Sequence, residues 1–382
     1  MLDACSAYHN KETFFEVEFI HGKTYNTPQE AKTTIVEDEM ADLSRGANLN
    51  ISVVIPAFNA ENYLPVLIRS IEAQTLLPKE IVIVDSSSSD KTTDIVSEWK
   101  GPISIVHKKV DLAYPGKARN IGVELAKSDW VAFIDCRTIP DRNWLEICAS
   151  SVEQSGAEFV DALFVCDADT HFKRILRAAT YGCGNTRTQA GSIVSKKVFL
   201  QSGGFQNVRA GEDMEWMHRM KTLGVKIYSA TSPSIRYNGL AESLSETIRK
   251  WYVYAMASAR IEVKNHQKNL YMVIFLSLLF ATVFRWNAVF ARWDMDSIYF
   301  VPNITKIFVA FIFTLYMIYR GIIRPLEAEV KLSFLLPWRW LEVGFVGLCI
   351  DIAKAPGLIW GAILIVSRRD SNARKVEYKK NH

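Results

Sequence analysis

The sequence predicts a doubly wound α/β domain with a mostly parallel sheet, followed by C-terminal membrane helices. Three observations favour this fold class. Short, continuously apolar runs recur in the first part of the chain, as expected of parallel strands that are covered on both faces. Helical stretches separate these runs at the spacing of βαβ units. Residues 270–366, in contrast, are dominated by Leu, Ile, Phe, Val and Trp.

The apolar runs and the stretches between them predict the order of the elements. Four parallel strands are expected at residues 51–56, 80–85, 103–108 and 130–135. A set of leucines and isoleucines at helical spacing predicts the first crossover helix: Leu64, Leu67, Ile68 and Ile71. The less regular second half predicts a helix at 141–151, strands at 159–166 and 190–195, a surface loop at 170–187, a glycine bend at 203–205, a helix opening at 211–216 and an amphipathic helix over 242–265.

Composition divides the chain into four parts. These are an N-terminal extension without assigned chemistry (1–49), the α/β domain (50–265), membrane-associated helices (266–366) and a basic tail (367–382). The six cysteines lack C-x-x-C spacing, which argues against zinc and thioredoxin-like sites and favours reduced, buried thiols. The net charge of +4 gives no nucleic-acid signature, so we expect no nucleic-acid partner. The first residues predict no cleaved secretion signal.

Residues 115–137 are the predicted centre of the functional site. They combine a basic helix start, a helix and a short buried strand that ends in Asp135. Ligands of open parallel sheets bind beyond the carboxyl ends of the strands. An Asp at such an end, with Lys117 and Arg119 nearby in sequence, predicts a site for a phosphate-bearing ligand. No G-x-G-x-x-G follows the first strand, which argues against a dinucleotide-binding dehydrogenase.

Two later helices carry further candidate residues. Glu212 and Asp213 stand in the first turn of their helix, where the helix dipole favours negative charge. They therefore predict either helix-end electrostatics or a catalytic role. Arg249, Lys250 and Trp251 give the helix at 242–265 a basic and aromatic character that suits a membrane surface or a phosphate.

Three apolar segments follow, at 270–290, 304–323 and 341–366. A helix needs about 20 apolar residues to cross a bilayer, and charges within it are costly. The positive-inside rule places the basic tail in the cytoplasm. We therefore expect two crossings and a re-entrant or interfacial third segment broken at Pro356-Gly357. The α/β domain would lie on the cytoplasmic face of the inner membrane, and three crossings are the competing interpretation.

Five motifs together resemble the family 2 inverting glycosyltransferases of the GT-A fold, which is Rossmann-like. They are VVIPAFNAENYL, IVIVDSSSSDKT, PGKARNIGVELAKSDWVAFIDC, GGF and GED, in the family's order and spacing over roughly residues 51–251. Each motif is weak by itself, whereas the set is specific. C-terminal membrane segments are also common among bacterial members that extend lipid-linked or surface polysaccharides.

The resemblance implies roles for the matching residues of the first half. Pro56 and Phe58 would line the nucleotide pocket, and Asp85 would hold the nucleobase. Arg119 would face the nucleotide, and Asp135 would lie at the ribose or diphosphate. Together these residues imply a nucleotide-sugar donor as partner.

In the second half, the resemblance implies that Asp213 is the general base, within the Glu212-Asp213 pair of the family. Arg249, Lys250 and Trp251 fall near a late basic and aromatic motif that closes over the diphosphate. Inverting transfer needs a base for the acceptor hydroxyl and positive charge for the departing nucleoside diphosphate.

The chain departs from the family pattern at the usual D-x-D, where it has Asp135-Cys136-Arg137. The second Asp normally binds Mg²⁺ or Mn²⁺, and an Arg cannot ligate a cation. Tyr237 also stands near a position where many members have a His. Three interpretations stay open: Arg137 replaces the metal by its own charge, Asp135 holds a divalent cation with water and the diphosphate, or the enzyme is degenerate.

The expected function is that of an inverting hexosyltransferase. It would move a sugar from a nucleotide-sugar donor to a hydroxyl of a lipid-linked or growing glycan at the cytoplasmic membrane face, in contact with membrane lipid. One alternative is a polyprenyl-phosphate glycosyl synthase, whose phosphate acceptor needs no base. Another is a non-catalytic nucleotide-sugar-binding protein with a degenerate D-x-D.

Overall fold

The computed structural model describes residues 49–183, 186–259, 261 and 304–380. The expectations for the N-terminal extension fall on residues 1–48 and lie outside this part of the chain. The first apolar segment, at 270–290, also lies outside it.

Four parallel strands form one half of the sheet, as the apolar runs predict. They are β1 (Ile51–Ala57), β2 (Glu80–Ser86), β3 (Ser104–Val110) and β4 (Trp130–Phe133), in the order β3-β2-β1-β4. The intervening helices are α1 (Leu64–Glu72), α2 (Thr92–Glu98) and α3 (Pro115–Leu125). Strands β1 and β2 are almost wholly buried because helices cover both faces of the sheet. The carboxyl ends of the four strands meet at one edge.

The other half of the sheet is mixed, which corrects the prediction of a mostly parallel sheet. It contains β5 (Thr138–Pro140), β6 (Phe159–Cys166), β7 (Thr186–Arg187), β8 (Ile193–Ser195) and β9 (Ile227–Tyr237). The order continues β4-β8-β6-β9-β5, with β7 on β6. Strand β8 is antiparallel to β4 and β6, and β5 is antiparallel to β9. Antiparallel neighbours need no helical crossover, so strands as short as β5 and β8 can join the sheet without a long apolar run.

The second half also contains more helix than expected. Its helices are α4 (Trp144–Ser155), α5 (His171–Ala179), α6 (Lys196–Gln201), α7 (Glu212–Thr222) and α8 (Leu244–Ser258). The prediction of a surface loop at 170–187 is wrong because α5 occupies half of it. Thr170 caps this helix by accepting a hydrogen bond from the Lys173 amide at 3.2 Å, and Ile175 and Leu176 bury one face of it.

An aromatic cluster joins the two halves of the domain beneath the site. It consists of Phe133, Phe159, Phe199, Phe205 and Trp216, which come from β4, β6, α6, the glycine bend and α7. The rings of Phe205 and Trp216 are only 4.7 Å apart. This packing fixes the first turn of α7 relative to the end of β4, and so fixes the residues of the site relative to each other.

Five helical elements follow the undescribed stretch. They are α9 (Ile304–Ile318), a π-helical turn (Tyr319–Ile323), α10 (Arg324–Glu327), α11 (Leu332–Leu335) and α12 (Arg339–Lys380). Helix α12 continues through Pro356, which corrects the expected break at Pro356-Gly357. Pro356 faces outward, whereas Gly357 and Gly361 approach the backbone of α8 closely. This packing against α8 compensates for the hydrogen bond that the proline removes.

Within the described residues, one helical stretch is long and apolar enough to cross a membrane. It is Arg339–Leu364 of α12, with a mean hydropathy of 1.5, and half of its stretch is buried within the protein. A partly buried helix of this kind is weak evidence for a membrane span. The second predicted span forms the 15-residue α9 and the π-helical turn. The number of crossings stays a prediction.

Candidate active site

The carboxyl end of β2 holds Asp85 in a wholly buried position. One carboxylate oxygen accepts a hydrogen bond from the Ser88 amide at 2.9 Å, and the other accepts one from the Thr93 hydroxyl at 2.7 Å. Burial alone would raise the pKa of Asp85, but these hydrogen bonds outweigh it and hold the pKa below its ordinary value. Asp85 is therefore a fixed charge at the strand end.

The turns after β1 and β2 are tied together by reciprocal hydrogen bonds. The Asn59 amide donates to the Ser88 hydroxyl at 2.9 Å, and the Ser89 amide donates to the Asn59 side chain at 2.9 Å. This contact leaves the Phe58 ring 57% exposed beside a partly buried Pro56. An exposed aromatic ring on a fixed turn is suited to stacking against a ligand.

Arg119 connects the two halves of the site. Its side chain is 6% exposed, and its guanidinium donates to Asp135 at 2.6 Å and to Glu212 at 3.0 Å. The same guanidinium lies over the Phe205 ring, 5.5 Å from its centroid. A planar cation with several donors can hold two carboxylates in one arrangement. The structure thus brings Arg119, Asp135 and Glu212 together, although 93 residues separate Arg119 from Glu212.

The adjacent carboxylates of α7 have different surroundings. Glu212 is buried against Arg119; burial raises its pKa above the ordinary value, while Arg119 opposes that effect. The partly exposed Asp213 borders the cavity, and one of its oxygens accepts a hydrogen bond from the Met214 amide at 2.8 Å. Glu212 is therefore placed to hold Arg119, and Asp213 is placed to meet a ligand.

A second cationic group lies beside the end of β4. The Arg137 guanidinium lies 5.1 Å from the centroid of the Tyr63 ring. Lys250, from α8, lies 5.7 Å from the Tyr237 ring centroid and donates to the Gly239 carbonyl at 3.3 Å. Burial lowers the pKa of Lys250, and the nearby charge of Arg137 lowers it further. Tyr237 thus packs against a lysine at the position where the family often has a His.

A cavity of about 600 Å³ opens next to these groups. One part of its lining, which we call the acidic wall, consists of Asp135, Glu212 and Asp213, and Trp251 and Tyr254 of α8 also line it. Phe58 and Asp85, which the sequence assigns to the nucleotide pocket, do not line this cavity. The cavity therefore extends from the β4 end away from the β1 and β2 turns.

Two further predicted binding residues, Lys117 and Arg249, have exposed side chains. Lys117 lies on α3, and Arg249 lies on α8. Lys117 is two positions from Arg119, so the two side chains leave the helix about 200° apart. Arg249 precedes Lys250 and is likewise turned away from it. The binding roles of Lys117 and Arg249 stay predictions.

The far wall of the cavity comes from the C-terminal helices. It contains Arg320 of the π-helical turn, Arg324 of α10 and Lys354 of α12, which we call the cationic wall. The sequence prediction missed these residues as site residues. The available signal was the charge of Arg320 and Lys354 within apolar segments, where charged side chains are costly. Arg324 lies directly after the second apolar segment.

The described residues contain no group of three or more His, Cys, Asp or Glu side chains that could hold a metal ion. Asp135 is the single carboxylate of the Asp135-Cys136-Arg137 motif, and Arg119 already engages it. Asp135 by itself is an incomplete ligand set for Mg²⁺ or Mn²⁺, which would need oxygen ligands from water and substrate.

Comparison with known proteins identifies the first part of this region. Residues 52–204 match the model of glycosyl transferase family 2. This match confirms the predicted resemblance to family 2 for the segment that contains β1 to β4, Arg119 and Asp135, while the inverting mechanism stays a prediction. Asp213 and Lys250 lie beyond it.

Curated relatives match over short stretches. The poly(ribitol-phosphate) β-N-acetylglucosaminyltransferase TarS of Staphylococcus aureus is 28% identical over 111 residues, which cover 28% of this chain and 19% of TarS. The chondroitin synthase of Pasteurella multocida is 31% identical over 101 residues, which cover 26% of this chain and 10% of the synthase. The chain thus spans a fifth or less of these relatives.

A solved structure confirms the fold. The mannosyltransferase PcManGT from Pyrobaculum calidifontis, solved with GDP-Man and Mn²⁺, superposes with a TM-score of 0.50. The alignment covers 85% of this chain and 94% of PcManGT at 14% identity. The α/β region therefore has a glycosyltransferase fold with a mixed sheet.

Proposed function

We propose that this protein is an inverting glycosyltransferase that moves a sugar from a nucleotide-sugar donor to an acceptor hydroxyl. The observation that carries the proposal is the position of Asp213. Its carboxylate borders the cavity beside Asp135, while Arg119 and Glu212 fix the geometry behind it. The family match over residues 52–204 and the transferase names of the relatives support the same activity.

The proposal gives each part of the site one task. The donor nucleotide lies at the carboxyl ends of β1 and β2. Phe58 and Pro56 line its pocket, and Asp85 holds the nucleobase. Asp213 takes the proton of the acceptor hydroxyl, and the acceptor oxygen then attacks the anomeric carbon from the face opposite the diphosphate. The bond between that carbon and the diphosphate oxygen breaks, which inverts the configuration.

Positive charge is needed where the diphosphate departs. Arg137 and Lys250 supply it in our proposal, because they lie near each other at the β4 end. If Arg137 replaces a metal, activity persists in chelator and Arg137→Asp abolishes it or makes it metal-dependent. Loss of activity in chelator would instead favour a divalent cation on Asp135, water and the diphosphate.

The test of the proposed base is Asp213→Asn, with Asp129→Asn as a matched control at an exposed position. Removing a general base is expected to lower kcat by about 10²–10⁴-fold while donor binding persists. The measurement is release of nucleoside diphosphate and formation of glycosylated product in detergent, scored with and without membrane lipid extract. The control is expected to keep the wild-type rate.

Two other outcomes identify the alternatives. Near-normal transfer by Asp213→Asn would mean that the acceptor oxygen is already ionised, as in a polyprenyl-phosphate glycosyl synthase. Donor binding by the wild-type protein without transfer or donor hydrolysis would mean a non-catalytic nucleotide-sugar-binding protein.

We further propose that the protein works at the cytoplasmic face of the inner membrane. Supporting this, α9 exposes Phe311, Ile312, Phe313 and Leu315, and α12 exposes Phe345 and Trp360. Exposed apolar surface of this extent is typical of a membrane contact. Co-sedimentation with vesicles tests the attachment, and protease treatment of right-side-out and inverted vesicles tests the orientation.

A further inference from the structure

The walls of the cavity carry opposite charges. The acidic wall supplies three carboxylates, Asp135, Glu212 and Asp213, two of which Arg119 engages. The cationic wall of Arg320, Arg324 and Lys354 faces the same space from the C-terminal helices. A ligand that fills the cavity therefore meets carboxylates of the acidic wall and cations of the C-terminal helices, and Arg209 is a further cation in the lining.

Ion pairs hold two residues of the cationic wall in place. Asp351 lies behind it and pairs with Arg320 Nε at 2.9 Å and with Lys354 Nζ at 3.1 Å. Arg320 also donates to the Gly347 carbonyl at 3.2 Å, and the Tyr316 hydroxyl donates to Asp351 at 2.9 Å. One carboxylate is thus shared between two cations.

Two further contacts concern the position of Lys354 and Arg324 at the cavity. Lys354 Nζ lies 4.8 Å from the centroid of the Trp251 ring, which lines the cavity. Arg324 has a half-exposed side chain and pairs only loosely, at 3.5 Å, with the exposed Glu327. Arg and Lys in such an arrangement favour a phosphate group, since its oxygens accept several charge-assisted hydrogen bonds.

We propose that the cationic wall binds a phosphate group of the acceptor and thereby presents the acceptor hydroxyl to Asp213. This inference rests on the proposed transferase function. The donor diphosphate is the competing occupant, but Phe58 and Asp85, which our proposal assigns to the nucleotide, do not line this cavity. The phosphate belongs either to a lipid carrier or to a polyol-phosphate glycan, and both present the same chemistry to the wall.

Direct binding tests the inference without relying on turnover. The probes are decyl phosphate, glycerol 3-phosphate and, as a phosphate-free control, decanol, titrated calorimetrically into the full chain in detergent. The variants are Arg324→Gln and Lys354→Gln, singly and together, with Lys331→Gln as an exposed control outside the cavity. UDP and GDP are titrated into the same proteins to report on the donor side.

The double variant is expected to bind decyl phosphate about tenfold more weakly, because the charged hydrogen bonds from Arg324 and Lys354 to the phosphate are lost. Binding of UDP or GDP and of decanol is expected to stay unchanged, as is every value for Lys331→Gln. Much tighter binding of decyl phosphate than of glycerol 3-phosphate would indicate a lipid-linked acceptor, and similar binding would indicate a polyol-phosphate glycan.

Two results would overturn the inference. One is equal binding of both phosphate probes by wild type and double variant. The other is a selective loss of UDP or GDP binding, which would assign the wall to the donor. Should the double variant misfold, Arg324→Gln alone still decides, since the Arg324 side chain is 58% exposed. Absence of nucleotide binding and transfer in the wild type would instead refute the proposed function, independently of the phosphate titration.

Discussion

The two ends of the site are held in place in different ways. At the proposed nucleotide end, Asp85 is fixed by Ser88 and Thr93, which follow it within eight residues. At the proposed transfer end, Glu212 depends on Arg119, which lies 93 residues away, and Lys250 depends on Tyr237 and Gly239. Local hydrogen bonds can form as soon as a turn forms, whereas distant pairs need the whole domain to be folded. We therefore expect the transfer end to be the more sensitive to substitutions in the core and in α12.

The largest effect is expected where the two ends join. Arg119→Met removes the partner of the buried Glu212, and breaking a buried ion pair costs about 3–5 kcal/mol of unfolding free energy. The double variant Arg119→Met/Glu212→Gln is expected to recover part of that loss, because no buried charge remains unpaired. Chemical denaturation in detergent measures both.

Lys117→Met is the matched control, since Lys117 is exposed on the same helix. Its effect is expected within about 0.5 kcal/mol of zero. Equal stabilities of Arg119→Met and Lys117→Met would contradict the bridging role of Arg119.

The next effect concerns the support that α12 gives to the transfer end. A Cβ at Gly357 would lie 2.5 Å from the Tyr252 carbonyl oxygen and 3.0 Å from Ala255 Cβ. Gly357→Leu must therefore push α12 away from α8, at a cost of about 1–3 kcal/mol. Lys354 moves with the helix, so acceptor KM is expected to rise while donor KM stays near the wild-type value.

Ala362→Leu serves as the control, because Ala362 is exposed on the same helix. It is expected to leave the melting temperature and both KM values unchanged. A rise of donor KM alone in Gly357→Leu would show that α12 supports the nucleotide end instead.

A smaller and more selective effect is expected at Asp85. Asp85→Asn replaces one of two accepting oxygens by a donor, so the hydrogen bond with Ser88 or Thr93 is lost. Donor KM is expected to rise about tenfold, the equivalent of one charged hydrogen bond, with little change in kcat. Asp94→Asn, at an exposed position on α2, controls for the change of charge. A fall in kcat with unchanged KM would place Asp85 at the reacting centre and not at the nucleobase.

The difference between local and long-range contacts also explains which parts of the structure the sequence could predict. Continuous apolar runs end at Asp85 and Asp135, so strand pattern alone located both carboxylates at one sheet edge. Strand β9, in contrast, has the sequence IYSATSPSIRY, whose Ser, Thr and Pro residues hide it from any apolar pattern. The pairing of Arg119 with Glu212 and the approach of α12 to α8 depend on tertiary packing, which no local pattern encodes.

The charges of the cationic wall are visible in the sequence, but we used them only to judge the number and orientation of membrane crossings. Arg320 and Lys354 interrupt apolar stretches, and that cost in free energy is itself a sign of function. Their common partner Asp351 is 31 residues from Arg320, so only the folded helices reveal the cluster. The roles of individual site residues stay predictions until they are tested by substitution.

The smallest predicted effect is a shift of pH dependence at the transfer end. Burial and then Arg137 lower the pKa of Lys250, with Cys166 and Glu246 acting in the opposite direction. Lys250 therefore loses its positive charge at a lower pH than an ordinary lysine, and stabilisation of the departing diphosphate is lost as pH rises through that pKa. The alkaline limb of kcat/KM, measured between about pH 7 and 10.5, is expected to lie below the usual lysine range.

Lys250→Arg separates this effect from general alkaline inactivation. A guanidinium stays protonated throughout this range, so the alkaline limb is expected to move to higher pH even if the maximal rate falls. Lys221→Arg, on the outer side of α7, is expected to leave the profile unchanged. An identical alkaline limb in wild type and Lys250→Arg would show that the charge of Lys250 does not assist the leaving group, and Arg137 would then be the remaining cation at the β4 end. In that case α8 would contribute to the transfer end only through the packing of Trp251 and Tyr254 along the cavity.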